Sequence, residues 1–161
     1  PLRGGRARGA PLRPRHERAR DDLDDQGRLD GMPFMPEMLA HCGRRFQVEK
    51  IAHKACDTVF PIRMRSISNA VHLADVRCSG EHHGGCQAGC LIYWKDAWLK
   101  PVSEPSHDVL EAATGEAAVS STEGLDVIHR NARRTTEDGS IFFSCQATQL
   151  PYASDDFRET D

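Results

Sequence analysis

The chain has few aromatic residues and no long apolar run. Aromatics are 6% of its 161 residues and the mean hydropathy is −0.56, so burial must be economical or much of the chain must stay outside a core. No stretch approaches the ~18 uninterrupted apolar residues of a membrane-spanning helix, so no helical span is expected. The Arg-rich start, Pro1 to Arg20, leads into no apolar segment; no secretion signal is legible, and the expected location is the cytoplasm. A phosphate-binding Gly-rich loop, a GxSxG elbow and an HExxH helix are all missing, as are the Cys-x2-Cys pair of zinc knuckles and the ferredoxin cysteine run. The acidic residues of the middle segment, Glu37, Glu49, Asp57, Asp75, Glu81 and Asp96, are scattered, with no paired-carboxylate site among them. An enzyme is expected only through a metal.

The net charge of −3 hides a partition. Pro1 to Arg20 holds seven Arg against Glu17, Met32 to Val102 holds nine basic and six acidic residues, and Ser103 to Asp161 holds four basic and twelve acidic. Arginines of the head would track phosphates, but the head has no aromatic residue for base stacking, so a nucleic-acid partner is disfavoured and a disordered basic head over residues 1–28 is expected. An acidic linker is expected at 103–124, where Ser, Glu, Ala and Thr dominate.

Cysteine and histidine are distributed differently. Cys42, Cys56, Cys78, Cys86 and Cys90, with His41, His53, His72, His82 and His83, fall between Met32 and Val102; Cys145 lies beyond the linker. Disulfide frameworks belong mainly to short secreted domains dense in cysteine, so thiolates for a metal are the better expectation. His53-Lys54-Ala55-Cys56 and His83-Gly84-Gly85-Cys86 each set an imidazole and a thiol three residues apart, close enough for a tight turn to aim both at one ion. Cys56, Cys78, Cys86 and Cys90 supply four thiolates, with His53 and His83 as replacements. Zinc and an iron–sulfur cluster both fit that count: mixed Cys/His sets favour zinc, and Gly84, Gly85 and Gly89 around Cys86 and Cys90 favour a cluster. Cys–His nucleophile pairs can be drawn as Cys56/His53 or Cys86/His83, without an identifiable third group. Cys42 and Cys145 read as small buried hydrophobes, although Cys145 could return to the site from beyond the linker. His72 reads as a surface or barrel-wall imidazole, and His41 and His82 as exposed.

The scaffold reads as mostly β. A short helix is expected within Met35–Gly43, with Pro36 in its first turn. Strands are expected at Phe46–Glu49, from Val59 to Arg65, at Ala70–Leu73 and at Leu91–Trp94; Lys95–Leu99 reads equally as helical turn or strand. Beyond the linker, a helix is expected over Leu125–Arg134 and a strand over Ile141–Cys145. Trp94 and Trp98 read as core or lid residues. The architecture expected is a small SH3-like barrel or a curled antiparallel sheet over residues 29–102, with an extension at 125–161.

Gly31-Met32-Pro33-Phe34-Met35-Pro36-Glu37-Met38-Leu39, His53-Lys54-Ala55-Cys56-Asp57, Asn69-Ala70-Val71-His72-Leu73, His83-Gly84-Gly85-Cys86-Gln87-Ala88-Gly89-Cys90-Leu91 and Trp94-Lys95-Asp96-Ala97-Trp98-Leu99 together resemble a bacterial family of small Cys/His-rich proteins with no established activity. The resemblance implies an SH3-like barrel over about Leu29–Val102, and Cys145-Gln146-Ala147-Thr148 reads as its extension. Against that family the Arg/Pro-rich head stands where a first strand is expected, which suggests a shifted or truncated frame. The function expected is a structural metal site in an interaction module with a protein partner. An iron–sulfur redox protein and a nucleic-acid-associated barrel are the alternatives.

Overall fold

Strands this short gain stability only by pairing across the chain, and the topology is built from such pairings. The computed structural model describes residues 11–14, 22–58, 61–102 and 123–159. In chain order it contains β1 (Pro11–Pro14), β2 (Arg28–Leu29), β3 (Met32–Pro33), α1 (Pro36–Leu39), β4 (Phe46–Ile51), β5 (Lys54–Asp57), β6 (Arg63–Ser66), β7 (Ala70–Leu73) and β8 (Trp94–Lys95). A 3-10 turn (Asp96–Trp98) leads into β9 (Leu99–Pro101). There follow α2 (Glu123–Ala132), β10 (Arg133–Thr135), β11 (Ile141–Phe143), α3 (Gln146–Gln149), a second 3-10 turn (Leu150–Tyr152) and β12 (Asp155–Asp156). The protein is mostly β, as its alternating segments imply.

The largest sheet has the order β8-β7-β4-β1-β9, with every neighbouring pair antiparallel. Its edges β8 and β9 are separated by only three residues. Laid flat, five strands at ~4.8 Å per step would hold those edges about 19 Å apart, whereas the four-residue step from Lys95 to Leu99 spans at most about 14 Å. The sheet must therefore curl. It does not close: β8 is two residues long, the 3-10 turn follows it at once, and no ladder joins β8 to β9. Of the two architectures expected, the curled antiparallel sheet is the one formed, and it is not closed into a barrel. Two hairpins, β2-β3 and β10-β11, and a three-stranded sheet of order β12-β6-β5 complete the strands.

The head does not behave as its composition suggests. Leu12 is 1% exposed, and β1 lies between β4 and β9, with Leu12 opposite Phe46 and Pro101. An unpacked head is thus corrected at Pro11–Pro14, because pairing on both sides supplies the hydrogen bonds and burial that local sequence lacks. Residues 1–10 and 15–21, the linker 103–122, and Val59 and Phe60 at the start of an expected strand lie outside the described residues.

One core serves the β domain and the extension. Trp94 and Trp98 are fully buried and meet Phe34 edge-on, at ring centroid distances of 6.2 and 5.1 Å. Met32, Met38, Val48, Leu73 and Ile92 surround them, and Ile128, Leu150 and Ala153 of the extension join the same cluster. The buried Arg65 of β6 ties down the C-terminal turn through Ser154 Oγ at 3.0 Å, the Pro151 carbonyl at 2.8 Å and an ion pair to Asp156. His72 differs from the surface reading: it is 6% exposed, with Nδ1 2.9 Å from the Ile92 carbonyl oxygen. His41 and His82 are half-buried rather than exposed.

Candidate metal centre

The loop between β7 and β8 carries four of the expected ligands, Cys78, His83, Cys86 and Cys90, and its backbone explains their placement. Arg77 bridges Leu91 in antiparallel fashion, and the Cys78 N–H donates to the Cys90 carbonyl at 2.9 Å, so the loop returns beside its own start. The Arg77 guanidinium donates to the Gly89 carbonyl at 2.9 Å. Within the loop, the His83 and Gly85 N–H groups both donate to the Gly80 carbonyl, at 2.9 and 3.0 Å. Gly80 has φ +74°, and a Cβ there would stand 1.9 Å from the Cys86 carbonyl oxygen, so only glycine lets the two passes of the loop cross.

This turn directs His83 inward, to 7% exposure, against α1. Pro36 starts α1 and turns Pro36, Glu37 and Met38 into the core together, which buries the Glu37 carboxylate. His83 Nδ1 lies 2.8 Å from Glu37 Oε1, Cys78 Sγ lies 3.7 Å from that Nδ1 and 3.9 Å from that Oε1, and the His82 N–H donates to Oε1 at 3.2 Å. Among the described residues, Glu37, Cys78 and His83 form the group whose ligand atoms all lie within 4.8 Å of one another. Glu37 Oε2 and His83 Nε2 are buried without a hydrogen-bond partner. Burial alone would raise the Glu37 carboxyl, but hydrogen bonds and charge from His83, with backbone N–H groups, outweigh it and hold the carboxyl below its usual value.

The six expected ligands separate. Cys78 and His83 converge; Cys86 and Cys90 are exposed on the same loop. Cys56 is exposed on β5, opposite Met64 in the three-stranded sheet, and His53 is exposed just before it. The shared offset of the two His-x2-Cys segments thus has no counterpart in space: one lies on a hairpin, the other in a loop. Glu37 is a partner that spacing did not suggest. Its signal was a single carboxylate inside the apolar run Met32–Leu39, where an uncompensated charge is expensive.

The arrangement is unlike a nucleophile triad. There the thiol and the carboxylate occupy opposite imidazole nitrogens, so that a proton can pass. Here both approach Nδ1. Burial, then the Glu37, Cys145 and Cys90 charges, push the Cys78 thiol up to about 11, the reverse of an activated nucleophile. A divalent cation would reverse that balance, since it favours every ionised group around it. Tetrahedral zinc, at ~2.3 Å to sulfur and ~2.0–2.2 Å to nitrogen or oxygen, sets ligand-to-ligand distances of about 3.3–3.6 Å. The three distances here, 2.8, 3.7 and 3.9 Å, match those within about half an ångström.

Fold and site together define a mostly β protein with a buried Glu/Cys/His group able to hold a metal ion. Comparison with protein-family models, with curated proteins and with solved structures finds no match to this chain.

Proposed function

We propose that the protein is a metal-stapled β module in which Glu37, Cys78 and His83 hold a zinc ion that fastens the loop between β7 and β8 to α1. The observation that carries this reading is the convergence of three ligand atoms, Glu37 Oε1, Cys78 Sγ and His83 Nδ1, with the Glu37 and His83 side chains each 4% exposed. A buried carboxylate beside an imidazole and a thiol is expensive without a compensating charge, and a cation between Oε1, Nδ1 and Sγ supplies that charge. A small core with few aromatics also gains most from a staple. Exposed Ile62 and Met64 at β6, with Tyr152, support a protein partner for the module. An iron–sulfur cluster is the second reading, favoured by the three thiols, Cys78, Cys86 and Cys90, that one glycine-rich loop carries. Anaerobic purification followed by elemental analysis and an absorption spectrum tests both. One zinc in colourless protein, lost in Cys78→Ser, is the expected result. A broad band near ~400 nm with bound iron would replace zinc by a cluster, and metal-free protein with an unchanged unfolding transition would defeat the staple.

A further inference from the structure

The stem of the Cys-rich loop sets a second relation between its thiols, independent of the ligand group. Arg77 and Leu91 face each other in an antiparallel bridge, and the bond from the Cys78 N–H to the Cys90 carbonyl, 2.9 Å, is the next rung toward the loop. Cys78 and Cys90 are therefore direct cross-strand neighbours at a hydrogen-bonded rung, where Cα atoms stand about 5.5 Å apart. Strand alternation puts both side chains on the face opposite Arg77 and Leu91. The rung on the other side of the bridge marks that face as the inner one. Val76 and Ile92, which the same register sets opposite each other, are both 1% exposed, whereas Arg77 is exposed. Cys78 is half-buried and Cys90 exposed, so one member of the pair meets solvent while the other is sheltered.

A Cα separation of about 5.5 Å lies within the ~4.4–6.8 Å that a disulfide bridges without backbone movement. We infer that Cys78 and Cys90 are a thiol–disulfide pair, oxidised by a low-molecular-weight disulfide such as oxidised glutathione, and that their bond disables the Glu37/Cys78/His83 group. The exposed Cys90, as thiolate, attacks the small disulfide; one sulfur of the reagent leaves as a thiol and the other stays bonded to Cys90. Cys78 Sγ then displaces that second sulfur and forms the Cys78–Cys90 bond. Each protein sulfur gives up one electron, the reagent takes both electrons and both thiol protons, and two small thiols are released. The other loop and sheet thiols are placed differently: Cys86 lies in the loop beyond its paired stem, and Cys56 stands on β5 in the three-stranded sheet. The consequence for metal rests on the reading of the ligand group as a zinc centre. Cys78 Sγ, 3.7 Å from His83 Nδ1 and 3.9 Å from Glu37 Oε1, has no thiolate to offer once it is bonded to Cys90. The ion is left with a carboxylate and an imidazole, and the staple between the loop and α1 opens.

In the test, metal-free wild-type protein is equilibrated with glutathione at a series of oxidised-to-reduced ratios, its remaining thiols are alkylated, and the chain is cut after Arg77, Glu81 and Lys95. Cys78 is then on one fragment, and Cys86 and Cys90 are on another. Fragments 78–81 and 82–95 joined by a disulfide, with the alkyl label on Cys86, are expected. Alkylated Cys78 at every ratio, or a bond from Cys86 to Cys78 or to Cys90, would overturn the inference. Zinc-loaded protein gives a second readout. The same oxidation should release zinc from the wild type to a chromogenic chelator, and Cys90→Ser, which leaves the three ligands intact, should retain it; release from both would overturn the switch. The two readings fail separately. A Cys78–Cys90 bond in protein that never takes up zinc keeps the pair and sinks the metal centre, and bound zinc with Cys78 never oxidised does the reverse.

Discussion

Gly80 and Gly85 form a matched pair for testing the loop geometry. Both have positive φ, +74° and +77°, so alanine at either position pays the same left-handed strain, about 1–2 kcal/mol. They differ in space: nothing lies within 4 Å of a Cβ at Gly85, whereas a Cβ at Gly80 would meet the Cys86 carbonyl oxygen at 1.9 Å and the Cys86 nitrogen at 2.9 Å. Relief of that contact must separate the two passes of the loop, and with them the two hydrogen bonds accepted by the Gly80 carbonyl, each about 1 kcal/mol. Gly80→Ala should then cost about 3–4 kcal/mol and Gly85→Ala about 1–2. With an m-value of ~2 kcal/mol per molar urea, the midpoints should fall by about 1.5–2 M and 0.5–1 M. Trp94 and Trp98, fully buried, report the transition by fluorescence. Gly80→Ala should also lose bound metal, because Cys78 and His83 stand on either side of the disturbed turn. Equal midpoints and equal metal contents for the two variants would refute this account of the loop.

Two further outcomes follow from the core. Leu12→Ala should cost about 2–5 kcal/mol, as for other buried leucines, since Leu12 is 1% exposed in a strand paired on both sides; a loss below about 1 kcal/mol would show that β1 is not part of the core. Burial, aided by the Lys50 charge, lowers the pKa of His72 despite opposing influence from the Ile92 carbonyl and Glu49, so the unfolded chain takes up a proton near pH ~6.5 that the folded state resists. Stability should therefore be full above that pH and decline as pH falls through it, and His72→Gln should flatten the decline in a series of urea titrations; an unchanged slope would count against the assignment. His41, lowered by burial and by Arg44, adds to the decline in the same direction.

Local chemistry was enough to reveal the strands at Phe46–Ile51 and Ala70–Leu73, the helix near Leu125–Arg134, the strand at Ile141 and the burial of both tryptophans, because alternation and helical period are written within each segment. It also concentrated the metal-type residues in the middle of the chain, with Cys78 and His83 among them. The tertiary structure alone decided the rest. Pro11–Pro14 is a strand through its neighbours β4 and β9, both distant in sequence, and nothing in an Arg/Pro segment encodes their approach. Sheet closure was equally non-local, since it depends on whether two edges meet after curling. In the site, composition treats Cys56 and Cys78 alike, yet one faces solvent from a hairpin and the other turns toward a carboxylate on α1. Ligand spacing along a chain measures contour length, while a metal selects atoms that lie within about 4 Å of one another, and between those two quantities stands the whole path of the backbone.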